Sequence, residues 1–268
     1  MIDRGKVSIL GVAVDAVDYE AAVERITQAA RDRRPFIVTA QPVHGIMTAA
    51  RDAAHRFRLN SFDLVVPDGQ PVRWAMNLLH RSGLKERVYG PNLMLALCRR
   101  METEGLSIYL FGSRAETVAM LHARLMARFP ALKIAGAQAG RFRVLGAEER
   151  ATLNDEIRSS GAALIFAGLG CPRQEIWAYE NRESLAMPIV CVGAAFDFHA
   201  GTVRQAPIAL QRAGLEWAFR FANEPRRLWK RYVLLNPMYI AMIAAQAAGI
   251  IGRRANPGTP PERETNLA

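Results

Sequence analysis

The sequence predicts an α/β protein: a mostly parallel β-sheet with helices on both faces, followed by a C-terminal helical appendage. Three observations carry that prediction. Residues 163–167 (ALIFA) and 188–192 (PIVCV) are short apolar runs that stop at a glycine, as strands buried on both faces of a parallel sheet do. Runs of this kind alternate with stretches of helical periodicity up to residue 192, the order that builds right-handed βαβ units. The polar segments GLGCPRQE (168–175) and GAAFDFHAGTVRQA (193–206) directly follow the two runs. They therefore gather at the sheet edge where open α/β proteins bind ligands, and the chain reads as an enzyme with a site built from strand ends.

Taken in order, residues 7–14 form a short strand or hairpin broken by Gly11, and residues 19–33 a helix capped by Asp18. Residues 36–39 (FIVT) and 64–66 (LVV) are strands. Residues 107–111 (SIYLF) form another, which ends at Gly112 and precedes a helix over about 115–129. A shorter strand over 132–137, a turn at Gly140 and a helix over 147–159 lead into the two apolar runs. After residue 206 the character changes. Between 212 and 231, six basic residues stand against two acidic ones, and Pro225 ends one helix and starts the next. Residues 232–252 carry no charge, and the tail from 253, rich in proline and polar residues, is predicted to be disordered. The division is a core over 1–206, an appendage over 207–252 and a tail over 253–268.

A chain of 268 residues accommodates one large α/β domain with an appendage. Its net charge of +10 points to an anionic partner: a nucleotide, a lipid phosphate, a membrane face or nucleic acid. Three scattered cysteines supply neither a disulfide framework nor a zinc spacing, and the N-terminus lacks an apolar signal region, so a reducing cytoplasm fits. No HExxH, paired CxxC, GK[ST] or Asp-x-Asp occurs, so no metal and no cofactor is expected.

Several residues are candidates for chemistry. Asp68 follows a strand directly, where a carboxylate can serve as a general base, although Asp-Gly is also ordinary turn chemistry. Thr39 and Gln41 end a neighbouring strand and can hydrogen-bond a sugar or cap the following helix. Gly168 and Gly170 allow close approach of a phosphate, but Arg173 stands where a dinucleotide turn needs its third glycine. Gln174 and Glu175 begin a helix, where polarity is common in any case. Asp197, between Phe196 and Phe198, binds ligand or anchors its own loop, and the adjacent His199 alone makes no metal site. The basic stretch is a solvated face, a nucleic-acid contact without a supporting motif, or a membrane-facing surface. The uncharged stretch beside it fits a helix lying in the membrane interface better than one spanning it.

Eight segments, in order, carry a resemblance: TAQP (39–42), PDGQPV (67–72), ERVYGPNL (86–93), IYLFGS (108–113), FPALKIAGAQAGRF (129–142), GLGCPRQE (168–175), VGAAFDFHAGTVRQAP (192–207) and GLEWAFRFANEPRRLWKRY (214–232). Over residues 8–232 the chain resembles the WecG/TagA/CpsF family of bacterial glycosyltransferases. The resemblance implies a Rossmann-like fold and an inverting, metal-independent transfer from a UDP-sugar to a polyprenyl-pyrophosphate-linked saccharide. Its products are intermediates of surface polysaccharides, made at the inner face of the cytoplasmic membrane. It places the base on Asp68 and a substrate-positioning threonine on Thr39. Arg87, Gln174 and Asn92 fall in its motifs, and Arg220, Arg227 and Arg231 meet the lipid pyrophosphate or the membrane. Gln41, Asn92 and Arg141 depart from residues common in that family, which bears on sugar identity and leaves the reaction class intact. Nucleic acid is not an expected partner, and a homo-oligomer is left open. The competing reading is a non-catalytic nucleotide-binding protein with a basic docking face.

Overall fold

The computed structural model of residues 1–268 describes the whole backbone and every side chain except those of Arg227, Lys230 and Arg231. An antiparallel hairpin of β1 (Asp3–Ile9) and β2 (Val12–Val17) opens the chain, turning at Leu10 and Gly11, both at positive φ. Helix α1 (Tyr19–Arg31) follows, with the Asp18 carboxylate accepting from the Ala21 amide as the predicted cap.

Among the described residues, the main sheet holds six strands, all parallel: β3 (Phe36–Gln41), β4 (Leu64–Pro67), β5 (Ser107–Gly112), β6 (Lys133–Gln138), β7 (Leu164–Gly168) and β8 (Pro188–Cys191). Their spatial order is β4-β3-β8-β7-β5-β6. The connections are α2 (Val43–Arg51) and α3 (Ala53–Asn60), then α4 (Gln70–His80) and α5 (Gly90–Glu104), α6 (Ala115–Arg128), α7 (Ala147–Ser159) and α8 (Arg173–Leu185). Beyond β8 come α9 (Ala195–Ala200), α10 (Ile208–Arg212), α11 (Glu216–Asn223), α12 (Pro225–Trp229), a π-helical turn over Lys230–Leu235 and α13 (Asn236–Ala247).

The apolar runs are explained by what covers them. Ile37, Val65, Ile165 and Ile189 face α2, α3, α4, α7, α8 and α13, whereas Val38, Leu64, Phe166 and Val190 face α1, α5, α6 and α9. Side chains alternate with period 2, but both faces are dry, so polarity does not alternate. Phe166 has no exposed surface, and truncating it to alanine would cost about 3–5 kcal/mol.

The chain leaves β5 toward β6 and leaves β7 toward β8, so α6 and α8 cover opposite faces and a crevice opens between those strand ends. Backbones touch there. Gly112 has φ +119°, and a Cβ on it would stand 2.6 Å from the carbonyl carbon of Gly168, so only glycine fits.

One expectation for the C-terminus is corrected and another gains detail. The uncharged stretch, expected to lie in a membrane interface, also packs on the core: Tyr239, Ile243 and Gln246, spaced four and three apart, bury one face of α13. Gln246 accepts from the Leu10 amide at 3.1 Å and donates to the Ser8 carbonyl at 3.3 Å. The tail, predicted to be disordered, runs back along the molecule. The Thr259 amide donates to the Ala53 carbonyl, the Thr265 and Asn266 amides donate to Glu180, and Leu145 donates to the Asn266 carbonyl. Composition misjudged this segment because most of its partners are backbone groups and polar side chains, with only the terminal Ala268 in the apolar core. No helix of the described residues is long and apolar enough to cross a membrane.

Candidate active site

Asp68 stands just past the end of β4, its amide donating to the Gln41 carbonyl of the neighbouring strand at 3.1 Å. That backbone bond sets the turn into α4. Its Oδ1 accepts from the Gly90 amide, at the start of α5, at 2.6 Å. The carboxylate borders a cavity of about 110 Å³ lined by Pro42, His44, Arg87, Glu216, Trp217, Arg220, Tyr232 and Asn236 among others. Elsewhere protein crowds it, and this desolvation pushes its pKa up to about 6. Arg87, the Gly90 amide and Arg220 pull the other way, while Glu216 adds to the rise. A carboxylate so placed is ionised at neutral pH yet a stronger base than an ordinary aspartate.

Arg87 is held ready rather than free. It donates to Glu216 at 2.5 Å and stacks on the Tyr89 ring, whose hydroxyl donates to the same carboxylate at 2.9 Å. Burial works against the charge on Arg87, but Asp68 and Glu216 outweigh it and its pKa lies above the usual value. Burial likewise raises Tyr89, so the phenol stays protonated as a donor. Arg220 lies 5.5 Å over the Phe198 ring, and its buried Nε has no hydrogen-bond partner. Two guanidinium groups thus lie near two carboxylates, and not all of their donors are used within the protein.

A second group of polar residues sits at the end of β3, deeper in the sheet edge. Glu175, in the first turn of α8, accepts through Oε1 from Thr39 at 2.9 Å, Gln41 at 3.1 Å and Gln174 at 2.9 Å. Thr39 and Gln41 have no exposed surface, Gln174 is 3% exposed and Glu175 1%. Thr39 and Gln41, read from the sequence as sugar-binding or positioning residues, therefore act in this conformation by supporting Glu175. Gln174 accepts from the Gly170 amide at 3.2 Å, which fixes the turn from Gly168 to Gly170. Gly170 takes φ +79°, the left-handed conformation that the turn requires.

The remaining candidates separate. Asn92 hydrogen-bonds the Tyr19 hydroxyl, which accepts from the Tyr89 amide at 2.9 Å. Asp197 anchors its own loop: its carbonyl accepts from Thr202 and Val203, and its carboxylate lies 3.5 Å from the Ser113 hydroxyl. The Arg227 and Arg231 side chains lie outside the described residues. Sequence reasoning missed Glu216, Tyr89 and Trp217. The signal was present in the motifs ERVYGPNL and GLEW, where one acidic residue interrupts a basic region.

A larger open groove of about 500 Å³ runs beside α7 and α8, but it is a poor candidate for chemistry. Its charges neutralise one another in the pairs Arg150–Glu264, Arg158–Asp155 and Arg182–Glu183.

Two comparisons with known proteins give the family. The profile of the family described as "Glycosyl transferase WecG/TagA/CpsF family" matches residues 7–251. The chain is also similar to the N-acetylglucosaminyldiphosphoundecaprenol N-acetyl-beta-D-mannosaminyltransferase of Bacillus spizizenii, with 28% identity over 214 residues, 80% of each chain.

Proposed function

This chain belongs to the WecG/TagA/CpsF family of glycosyltransferases, and on that premise we propose that it moves a sugar from a UDP-sugar to a polyprenyl-diphosphate-linked acceptor that carries N-acetylglucosamine. The product is an intermediate of a cell-surface polysaccharide. The observation that carries the reading is Asp68, a crowded carboxylate with its pKa pushed up to about 6, at a strand end beside two arginines.

In the proposed reaction an acceptor hydroxyl attacks the anomeric carbon from the face opposite the diphosphate, which inverts that centre. Its proton passes to the Asp68 carboxylate, which the Gly90 amide holds through one oxygen. The bond from the anomeric carbon to the diphosphate oxygen breaks, and its electron pair leaves with UDP. Arg87, pre-set by Glu216, and Arg220 stabilise the charge that develops there, together with amides of the Gly168–Gly170 turn. Guanidinium groups and amides supply this stabilisation without a divalent ion on the diphosphate.

The lipid of the acceptor keeps the reaction at the inner face of the cytoplasmic membrane. Trp217, Trp229, Val233 and Leu234 are all more than two-fifths exposed, close in sequence to the exposed Arg212 and Arg226. Exposed aromatic and aliphatic side chains beside cations suit peripheral docking on an anionic surface. The name of the Bacillus relative makes UDP-N-acetylmannosamine and an N-acetylglucosaminyl-diphospho-lipid the first pair to test. Purified protein given both should release UDP, with release dependent on the acceptor and insensitive to added Mg2+ or Mn2+. Absence of acceptor-dependent UDP release from a panel of UDP-sugars would contradict the reading.

A further inference from the structure

Behind the strand end that carries Thr39 and Gln41 lies a second cluster for which the transfer has no use. His55 comes from α3, Cys171 from the turn between β7 and α8, and Glu175 from the first turn of α8. One ligand atom from each, a ring nitrogen, the sulfur and a carboxylate oxygen, all lie within 4.8 Å of one another. His55 is 2% exposed and Glu175 1%. Neither ring nitrogen of His55 has a hydrogen-bond partner, and neither has Oε2 of Glu175. Among the described residues, no salt bridge reaches Glu175.

A buried carboxylate without a cation and a buried imidazole without a partner are each costly, and here they face one another. The two oxygens of Glu175 divide the work. Oε1 accepts from Thr39, Gln41 and Gln174, while Oε2 has no hydrogen-bond partner. Carboxylates that bind metals are commonly oriented this way, through hydrogen bonds to the oxygen that does not ligate. We propose that His55, Cys171 and Glu175 form a three-ligand site for one zinc-class divalent cation, with a water in the fourth position.

The donor set fits that cation. Nitrogen, sulfur and carboxylate oxygen together suit borderline-soft zinc rather than magnesium or calcium. A tetrahedral site with these donors needs ligand atoms about 3.3–3.6 Å apart, so pairs now up to 4.8 Å apart would close by up to about 1.5 Å. Charge balances as well. The Cys171 thiol loses its proton to solvent as the metal–sulfur bond forms, and thiolate plus carboxylate neutralise the doubly charged ion. The cation would tie α3 to α8 and fix Glu175, which holds Gln41, the residue whose carbonyl accepts from the Asp68 amide. Its role is to support the site; no step of the transfer passes through it. No sequence spacing announces it, because position 55 is far from 171 and 175.

Cobalt titration of the chelator-treated full-length protein tests the proposal independently of transferase activity. One equivalent of Co2+ should give a thiolate-to-metal charge-transfer band with tetrahedral d–d absorption, and Zn2+ should abolish both. Cys171→Ser should lose the charge-transfer band with its circular dichroism unchanged. His55→Gln should weaken binding by about tenfold or more. If His55→Gln does not fold, the spectrum of the unaltered protein still decides. Wild-type protein without a charge-transfer band, or a Cys171→Ser variant that keeps it, would overturn the site.

Discussion

Asp68 and Glu175 are both acidic residues set just beyond parallel strands at one edge of the sheet, yet the protein treats them in opposite ways. Asp68 borders a cavity, faces Arg87 and Arg220, and has one oxygen fixed by a single backbone amide. Glu175 is sealed, has no arginine against it among the described residues, and takes three side-chain hydrogen bonds on one oxygen. A strand end confers position only. Access to substrate and the neighbouring charges decide whether the carboxylate performs chemistry or holds the scaffold.

The largest effect that sharpens this contrast is on Asp68. Asp68→Asn should lower turnover about 10²–10⁴-fold, the usual contribution of a positioned base. Stability should move the other way. Because the pKa of Asp68 is raised from 3.8 to about 6, the folded state holds its proton more tightly than the unfolded chain. Stability from this group is full below pH 3.8 and is lost as pH rises through about 6. The amide, which resembles the protonated form, should therefore be more stable than wild type at pH 7.5, by up to about 3 kcal/mol. Thermal melts at pH 7.5 and pH 4 check it: the advantage should vanish at the lower pH.

Next in size is Arg87. Removing one preorganised cation from the leaving group should cost about 10²–10³-fold in kcat for Arg87→Ala. Steady-state kinetics with donor and acceptor varied separately measure this. An effect confined to KM would place Arg87 in ground-state binding instead.

Thr39→Val tests the sealed side of the comparison. It removes one donor from Glu175 and one acceptor from Gln41, so stability should fall by about 1–3 kcal/mol, read as a lower denaturation midpoint. Turnover of the folded protein should change less than for Asp68→Asn. A thousandfold loss with an unchanged midpoint would mean that Thr39 reaches the substrate.

The smallest effect is at the surface. Replacing Arg212 and Arg226 by glutamine should weaken partitioning to anionic vesicles by about 1 kcal/mol for each charge. Vesicle sedimentation at fixed ionic strength checks it, and unchanged binding would remove these arginines from the docking face.

The same two carboxylates explain what could be read in the sequence. The strands from residue 163 to 192 were legible because burial on both faces leaves long apolar runs that end at glycine. Asp68 was legible because it follows such a run directly. Glu175 was not: as the third residue of α8 it looks like ordinary first-turn polarity, and two of its three partners come from β3, far away in sequence. Glu216 was hidden for the same reason, since its partners Arg87 and Tyr89 belong to the segment before α5. The anchoring stripe Tyr239, Ile243 and Gln246 had a helical period, but its lack of charge drew the reading toward a membrane. The tail was missed because it binds through backbone amides and Glu180, which composition does not register.

The proposed transfer depends on Asp68 as its base, and the pH dependence of kcat/KM for the acceptor tests that most directly. Wild-type protein should gain activity as pH rises through about 6 and level off above it, because only the deprotonated carboxylate accepts the proton. The residual activity of Asp68→Asn should lack that limb. A variant that keeps the rise near pH 6, or a wild-type profile flat from pH 5 to pH 8, would contradict the assignment.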